Sequence, residues 1–305
     1  MAGAARRPGT LRGAAYGVAV EILVDDHRLL PSVRLRCPPR WKPAPDAVPR
    51  ATLRLLHRIG LTVEVDGVEV ASGLSHEAAL DVLESELQLL VARHAQPDVF
   101  IHAGVVSIGG QAILLPGNSG AGKTTLVRAL VAAGARYYSD EYAVLDASGR
   151  VHPYARRPSV RTPRGPKRRE PVPRDRGRRP IPVGVVIQTE YSSGAKWRPE
   201  PLSAGEQAIA LLSHAVAARD RPREVLATLA RAVSGSRGFK SQRGSADRTA
   251  RALVALAAQP VPGASLRAWR LPVASSRGVG GVESSPRSSM EKRSSTSRKR
   301  TGRSA

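Results

Sequence analysis

Apolar and polar positions alternate over the first hundred residues in a pattern that predicts a small α/β unit. The run from Tyr16 to Val24 combines β-branched residues with partial alternation and predicts a strand. Two further alternating runs meet at Asp66-Gly67, a pair that favours the positive φ angles of a tight hairpin turn. Ser75 can cap the helix that follows. That helix carries one apolar stripe at three- and four-residue steps: Leu80, Leu83, Leu87, Leu90 and His94. We therefore predict a small α/β unit over residues 1–98.

The pattern after residue 98 predicts a second α/β domain, which we place at 99–260. Two apolar runs, Val99–Ser107 and Gln111–Leu115, are joined by a Gly109-Gly110 turn, so we expect them to pair antiparallel. The next predicted elements are a helix over Lys123–Ala133 that Gly134 ends, a strand over Ala135–Ser139 and a hairpin turn at Ala147-Ser148-Gly149. A strand over Val183–Tyr191 follows. The last predicted elements are three helices: one capped by Ser203 with Glu206 and running to about Ala218, one over Arg223–Val233 and one over Ala246–Ala258.

Composition excludes several classes of protein. Hydrophobic residues make up 41% of the 305-residue chain, which is enough for a folded core. The single cysteine, Cys37, excludes an internal disulfide framework and a thiolate metal cluster. No stretch of about 18 apolar residues predicts a membrane span. The apolar run after Arg6 and Arg7 is broken at Glu21, so we predict no secretory signal and expect a cytoplasmic protein.

The net charge of +23 is concentrated in two segments. Residues 155–180 contribute +9 and residues 271–305 contribute +6, and both are poor in bulky apolar residues. We predict a solvated basic loop at 155–180 and a disordered, serine-rich basic tail at 261–305. The charge fits either arginine-rich codon usage or a polyanion-binding surface. The lack of interleaved aromatic residues argues against nucleic acid as a partner.

A glycine-rich loop carries the clearest chemical signal in the chain. Residues 117–124 match the pattern G-x-x-x-x-G-K-[ST] between an apolar strand and a helix. Glycines let the backbone wrap around phosphates, and the helix N-terminus directs free N–H groups toward the anion. The predicted nucleotide-binding residues are Gly117, Asn118, Ser119, Gly120, Ala121, Gly122, Lys123, Thr124 and Thr125. We expect Lys123 to contact the β- and γ-phosphates of ATP and the Thr124 hydroxyl to bind Mg²⁺.

An acidic pair, Asp140-Glu141, follows Lys123 by only 17 and 18 positions. We expect its strand to lie parallel and adjacent to the strand that leads into the loop, because this would bring both carboxylates to the phosphate site. One carboxylate could then hold Mg²⁺ while the other accepts a proton from an attacking hydroxyl. The alternative is a solvated turn that carries two charges.

The segment IHAGVVSIGGQAILLPGNSGAGKTTLVRALVAAGARYYSDEYAVLD resembles the catalytic core of the bacterial HPr kinase/phosphorylase family. The loop is also similar to that of ATP-dependent phosphoenolpyruvate carboxykinases. The resemblance covers residues 99–153 and continues more weakly over 183–258. It implies an α/β fold with a P-loop kinase core of this type and a mixed sheet, preceded by the small N-terminal unit. It also implies an assembly of several copies.

Carried over by position, the resemblance makes Asp140 the catalytic base. It makes Glu141 the second acidic residue, which would bind the metal together with Thr124. His102 matches the family's strand histidine, although a core histidine is the alternative. The family has aspartate where this chain has Glu141, and its Glu-x-Arg-Gly segment has no clear counterpart. Arg161 and Arg243 are the candidates for an arginine that stabilises the transferred phosphate. Residues 1–98 do not match the regulatory domain of HPr kinases, which leaves the phosphoryl acceptor open.

The sequence therefore favours an ATP- and Mg²⁺-dependent kinase that phosphorylates a hydroxyl, such as a serine of a protein or peptide. Three alternatives remain. The chain could be a nucleotide-binding regulatory module with weak or lost catalysis, a small-molecule or carboxykinase-like enzyme, or a nucleic-acid-dependent NTPase. Turnover with Mg²⁺ and candidate acceptors separates the kinase from the regulatory module. A steep salt dependence of nucleic-acid binding identifies the nucleic-acid-dependent NTPase.

Overall fold

The computed structural model describes residues 6–118, 122–162 and 165–258, with side chains throughout except at 159–168. The predicted tail at 261–305 lies outside the described residues. The helices are α1 (Leu30–Arg34), α2 (His76–His94), α3 (Lys123–Ala132), α4 (Ala204–Leu212), α5 (Pro222–Val233) and α6 (Ala246–Ala258). The strands are β1 (Gly9–Ala15), β2 (Val18–Val24), β3 (Lys42–Pro43), β4 (Ala51–Arg58), β5 (Gly60–Val65), β6 (Val68–Leu74), β7 (Val99–Ile108), β8 (Gln111–Pro116), β9 (Arg136–Ser139), β10 (Tyr142–Leu145), β11 (Val151–His152), β12 (Ser159–Thr162), β13 (Gly165–Arg169), β14 (Val183–Tyr191), β15 (Glu200–Leu202) and β16 (Arg237–Arg243). The fold is α/β with mixed sheets, as predicted.

The N-terminal residues form a six-stranded sheet in the order β3-β1-β2-β4-β5-β6, with α2 packed against it. The predicted hairpin between β5 and β6 is confirmed, and Asp66 and Gly67 both have positive φ. The Ser75 cap is also confirmed, since its hydroxyl accepts from the Ala78 N–H at 3.4 Å. The predicted start of a strand at Tyr16 is wrong. Tyr16 and Gly17 instead form a left-handed turn between β1 and β2.

The second sheet runs in the order β11-β10-β7-β8-β14-β16-β15, and β9 pairs with β7 beside β10. The predicted antiparallel pairing of β7 with β8 is confirmed. β14 lies parallel to both β8 and β16, so the carboxyl ends of these three strands share one edge of the sheet. This is the edge from which the glycine-rich loop begins.

The helix after Ser203 has the predicted capping box but ends at Leu212, not near Ala218. Its continuation pairs with β7 instead of extending the helix. The Val216 N–H donates to the Phe100 carbonyl at 2.9 Å, and the His102 N–H donates to the His214 carbonyl at 2.9 Å. These bonds satisfy backbone groups of β7 that a longer helix would leave unpaired.

One hydrophobic cluster contains residues of both predicted domains. Phe100, Tyr142 and Tyr154 lie in the same buried cluster as the apolar faces of β1, β2, β4, β5 and α2. The described residues accordingly belong to one compact unit. Among them, no helix is long and apolar enough to cross a membrane.

The prediction of a wholly solvated basic loop at 155–180 is wrong for two of its arginines. Arg156 and Arg169 are mostly buried and form ion pairs with Glu84 of α2. Arg169 also pairs with Asp81, at 2.5 Å. Two carboxylates on α2 compensate the buried guanidinium charges, which would otherwise be costly to remove from water.

Candidate functional site

The glycine-rich loop leaves β8 beside β7, and Lys123 folds back onto it. The Gly117 N–H donates to the His102 carbonyl at 3.2 Å, which fixes the start of the loop. The Lys123 ammonium donates to the carbonyls of Gly117 and Asn118 at 2.7 and 2.8 Å. Burial lowers the pKa of Lys123. Ser119, Gly120 and Ala121 lie outside the described residues, while Thr125 is exposed on the first turn of α3.

Gly122 is required at the start of α3 both for its backbone angle and for the space beside it. Its φ is +77°, and the guanidinium of Arg243 occupies the position that a Cβ would take. Arg243 is 2% exposed and donates to the Gly122 carbonyl at 3.0 Å. Of the two candidate arginines, Arg243 therefore lies at the loop, while the side chain of Arg161 is outside the described residues.

The strand that carries the acidic pair is not adjacent to β8, contrary to the sequence expectation. β9 runs in the same direction as β8, but β7 lies between them. Register nevertheless brings the pair to the loop. The chain passes from β9 to β10 opposite Ala103 and Gly104 of β7, whose partners on the other side are Pro116 and Leu115. The acidic pair is therefore level with the end of β8, and the Glu141 carbonyl accepts from the Ala103 N–H at 3.1 Å.

Gly104 lets α3 cross β7 closely enough to join the loop helix to the acidic pair. A Cβ at Gly104 would lie 2.6 Å from Cγ2 of Val127, so the helix rests directly on the strand backbone. One turn earlier on α3, the Thr124 hydroxyl donates to Oδ2 of Asp140 at 3.2 Å. The predicted metal-binding hydroxyl and the predicted acid are therefore in contact.

Asp140 is a buried carboxylate held from two sides. It is 6% exposed, and its Oδ1 accepts from the Tyr137 hydroxyl at 2.9 Å. Burial raises its pKa, although the bonds from Tyr137 and Thr124 and the charge of Arg156 act in the opposite direction. Tyr137 was not anticipated from the sequence. Alternation in β9 places Tyr137 and Tyr138 on opposite faces, but no pattern shows which hydroxyl meets a carboxylate.

Glu141 and His102 form a more open part of the same site. The Glu141 carboxylate is 43% exposed and lies 3.9 Å from Nδ1 of His102. The His102 ring stacks on Tyr142 with 4.6 Å between centroids. Burial and the nearby Lys123 lower the pKa of His102 to about 4, so its imidazole is neutral near pH 7. His102 is thus half-buried, as a core histidine would be, and also lies beside the loop, as a site histidine would.

The donor set at the loop suits a hard cation that also binds phosphate. Within the described ranges, no group of three or more His, Cys, Asp or Glu residues could hold a metal by itself. Thr124 and Asp140 instead offer a hydroxyl and a carboxylate in contact. Mg²⁺ commonly takes one or two such protein oxygens and completes its shell with water and substrate phosphates. The Thr124 hydroxyl and the adjacent acidic pair, Asp140 and Glu141, therefore fit that ion.

A cavity of about 250 Å³ opens beside Asp140. Its walls are the Val127 face of α3 and prolines of the basic loop, Pro158 and Pro171 among them. Thr124 and Asp140 are among the residues that line it.

Comparison of the chain with protein-family models gives no match, and comparison with curated proteins gives none either.

Proposed function

We propose that this protein binds ATP with Mg²⁺ and transfers the γ-phosphoryl group to a hydroxyl, in the manner that its resemblance to HPr kinases implies. The contact between Thr124 and Asp140 carries the proposal. It joins a complete phosphate-loop pattern to a buried acid through the hydroxyl that binds the metal in such loops. A chance glycine-rich turn would not require this contact.

Each side chain has a definable task in that reaction. Lys123 would exchange its loop carbonyls for the β- and γ-phosphate oxygens, and the N–H groups of α3 would face the same anion. Thr124 and Glu141 would hold Mg²⁺, which would neutralise charge that develops on the phosphates. Arg243, fixed at Gly122, adds a positive charge at the loop.

The proton of the acceptor hydroxyl needs a base. In the proposed step the acceptor oxygen forms a bond to the γ-phosphorus, the bond from that phosphorus to the bridging oxygen breaks, and ADP leaves. Asp140 would take the proton, and its raised pKa brings it closer to the range in which a base works near neutral pH. Glu141 would act beside it as the second acidic group.

The test of the proposal compares Asp140→Asn with Glu141→Gln. Asparagine keeps the shape of the side chain but cannot take a proton, so we expect turnover to fall by roughly 10²- to 10⁴-fold while most ATP affinity remains. Glu141→Gln should reduce turnover less. The measurement is γ-phosphate transfer, or slow ATP hydrolysis when no acceptor is supplied, with Lys123→Ala as the binding-defective control.

Two outcomes would change the assignment. If Glu141→Gln abolishes turnover while Asp140→Asn retains it, the two roles are reversed. If the wild type binds ATP but is inert with every acceptor tried, the regulatory-module interpretation replaces the kinase.

A further inference from the structure

A buried ion pair connects α2 of the N-terminal unit to the basic loop next to the candidate site. Glu84 Oε1 lies 2.5 Å from the Arg156 guanidinium, and Gln88, one turn further along α2, accepts from the same guanidinium. The Glu84 side chain is 8% exposed and that of Arg156 is 15% exposed. Because both groups are largely withdrawn from water, breaking the pair would leave an uncompensated charge.

Glu84 is itself held by further donors, so its position is well defined. Its Oε1 accepts from the Gln88 amide at 3.1 Å. Its Oε2 accepts from Arg36 at 3.2 Å and from Arg169. A carboxylate with this many donors can hold a guanidinium in one place, because few alternative rotamers satisfy all of them.

The backbone of Arg156 meets the side chain that holds Asp140. The Tyr137 hydroxyl oxygen lies 3.2 Å from the Arg156 carbonyl and 2.9 Å from Oδ1 of Asp140. Tyr137 is 1% exposed, and these are the two acceptors of its hydroxyl among the described residues, so its single proton is shared between Asp140 and the Arg156 carbonyl. A shift of the Arg156 backbone would therefore move or reorient the hydroxyl that fixes Asp140.

We propose that Arg156, anchored by Glu84 and Gln88 of α2, is a positioning residue that fixes Tyr137 and through it the Asp140 carboxylate. The inference rests on the proposed function, since it gives Asp140 its catalytic meaning. It assigns the N-terminal unit a part in the reaction, because α2 supplies the anchor. The competing interpretation is that the same ion pairs only attach the basic loop to α2.

The kinetic test uses two pairs of matched variants. Tyr137→Phe removes the hydroxyl between Arg156 and Asp140, whereas Tyr138→Phe removes a buried hydroxyl on the other face of β9, bonded to the Arg179 carbonyl at 3.1 Å. Glu84→Gln removes the anchoring charge, whereas Glu77→Gln removes an α2 carboxylate that pairs with Arg36 and does not touch Arg156.

Misplacing a reacting group by about 1 Å can cost up to roughly 100-fold in rate. We therefore expect kcat to fall about tenfold in Tyr137→Phe and Glu84→Gln, with KM for ATP nearly unchanged. Tyr138→Phe and Glu77→Gln should retain the wild-type kcat. Arg156→Lys, which keeps the charge but not the paired contacts, should fall between the wild type and Glu84→Gln. If kcat falls equally in the test and control variants, the ion pairs only attach the basic loop to α2, and the proposal is overturned.

A second readout does not depend on turnover. In protein labelled with ¹³C at the tyrosine ζ carbon, the Tyr137 signal is assigned by its loss in Tyr137→Phe. That signal should shift in Glu84→Gln and stay in place in Glu77→Gln. An unmoved signal in folded Glu84→Gln would overturn the positioning role. A wild type that neither binds nor hydrolyses ATP would instead overturn the proposed function, and the signal would still decide whether Glu84 positions Tyr137.

Discussion

At the scale of single residues, Tyr154 lacks a hydrogen bond that its burial would demand. Its side chain is fully buried among Tyr16, Phe100 and Tyr142, and its hydroxyl has no hydrogen-bond partner among the described residues. A buried hydroxyl without a partner costs about 1–3 kcal/mol. We expect Tyr154→Phe to raise the free energy of unfolding by about 1 kcal/mol in urea titrations. Tyr138→Phe, which loses a bond to the Arg179 carbonyl, should lower it. A destabilised Tyr154→Phe would show that this hydroxyl is satisfied.

The residues of the site differ in how far the sequence could predict them. Lys123 and Thr124 follow from a fixed pattern, because phosphate binding needs those groups at that spacing. Asp140 followed from its closeness to the loop in sequence and from the resemblance. Tyr137 and Arg156 were not anticipated, since their roles depend on contacts that no local pattern encodes. Arg156 meets a carboxylate 72 positions earlier in the chain.

At the scale of elements, the site depends on how closely α3 rests on β7. In Gly104→Ala the new methyl would meet Cγ2 of the buried Val127, so the helix must shift. Overpacking of this kind costs about 1–3 kcal/mol, and the shift would also separate Thr124 from Asp140. We expect a lower melting temperature and weaker Mg²⁺-dependent ATP binding by calorimetry.

The double variant Gly104→Ala/Val127→Ala tests the cause of that loss. Truncating Val127 restores space for the methyl group, so part of the stability and binding should return. Gly205→Ala is the control, because nothing lies within 4 Å of the position of its added Cβ. If the losses of stability and ATP binding in the double variant equal the sum of the losses in the two single variants, crowding between α3 and β7 is not the cause.

Most elements around the site could be predicted from local signals, but their arrangement could not. The bounds of β14 and α6 match the expected Val183–Tyr191 and Ala246–Ala258, because alternation and helical periodicity are local. The place of β9 in the sheet was wrong, since spacing along the chain does not reveal which strand lies between two others. Strands β1 and β4 were missed as well, and so was β16, the strand that ends at Arg243 beside the loop.

At the scale of the whole molecule, the shared cluster predicts cooperative unfolding. Phe100 and Tyr142 pack with residues of β2 and α2, so separating residues 99–258 from the N-terminal unit would expose them. We expect the full chain to unfold in one thermal transition, with circular dichroism and tryptophan fluorescence coinciding. The fragment 99–258 should be insoluble or much less stable. Two separate transitions, or a stable fragment, would show that the units fold independently.

The central claim is that the loop from Gly117 to Thr125 binds ATP, and calorimetry on Lys123→Ala tests it most directly. Within the described part of the chain, the Lys123 ammonium donates to the carbonyls of Gly117 and Asn118 only, so its removal takes a charge from the loop without opening a core. We expect wild-type protein to bind Mg²⁺-ATP and Lys123→Ala to bind at least about tenfold more weakly, about 1.4 kcal/mol. Lys42→Ala, an exposed lysine of β3, should bind as the wild type does. Unchanged affinity in folded Lys123→Ala, or no binding by the wild type, would contradict the account.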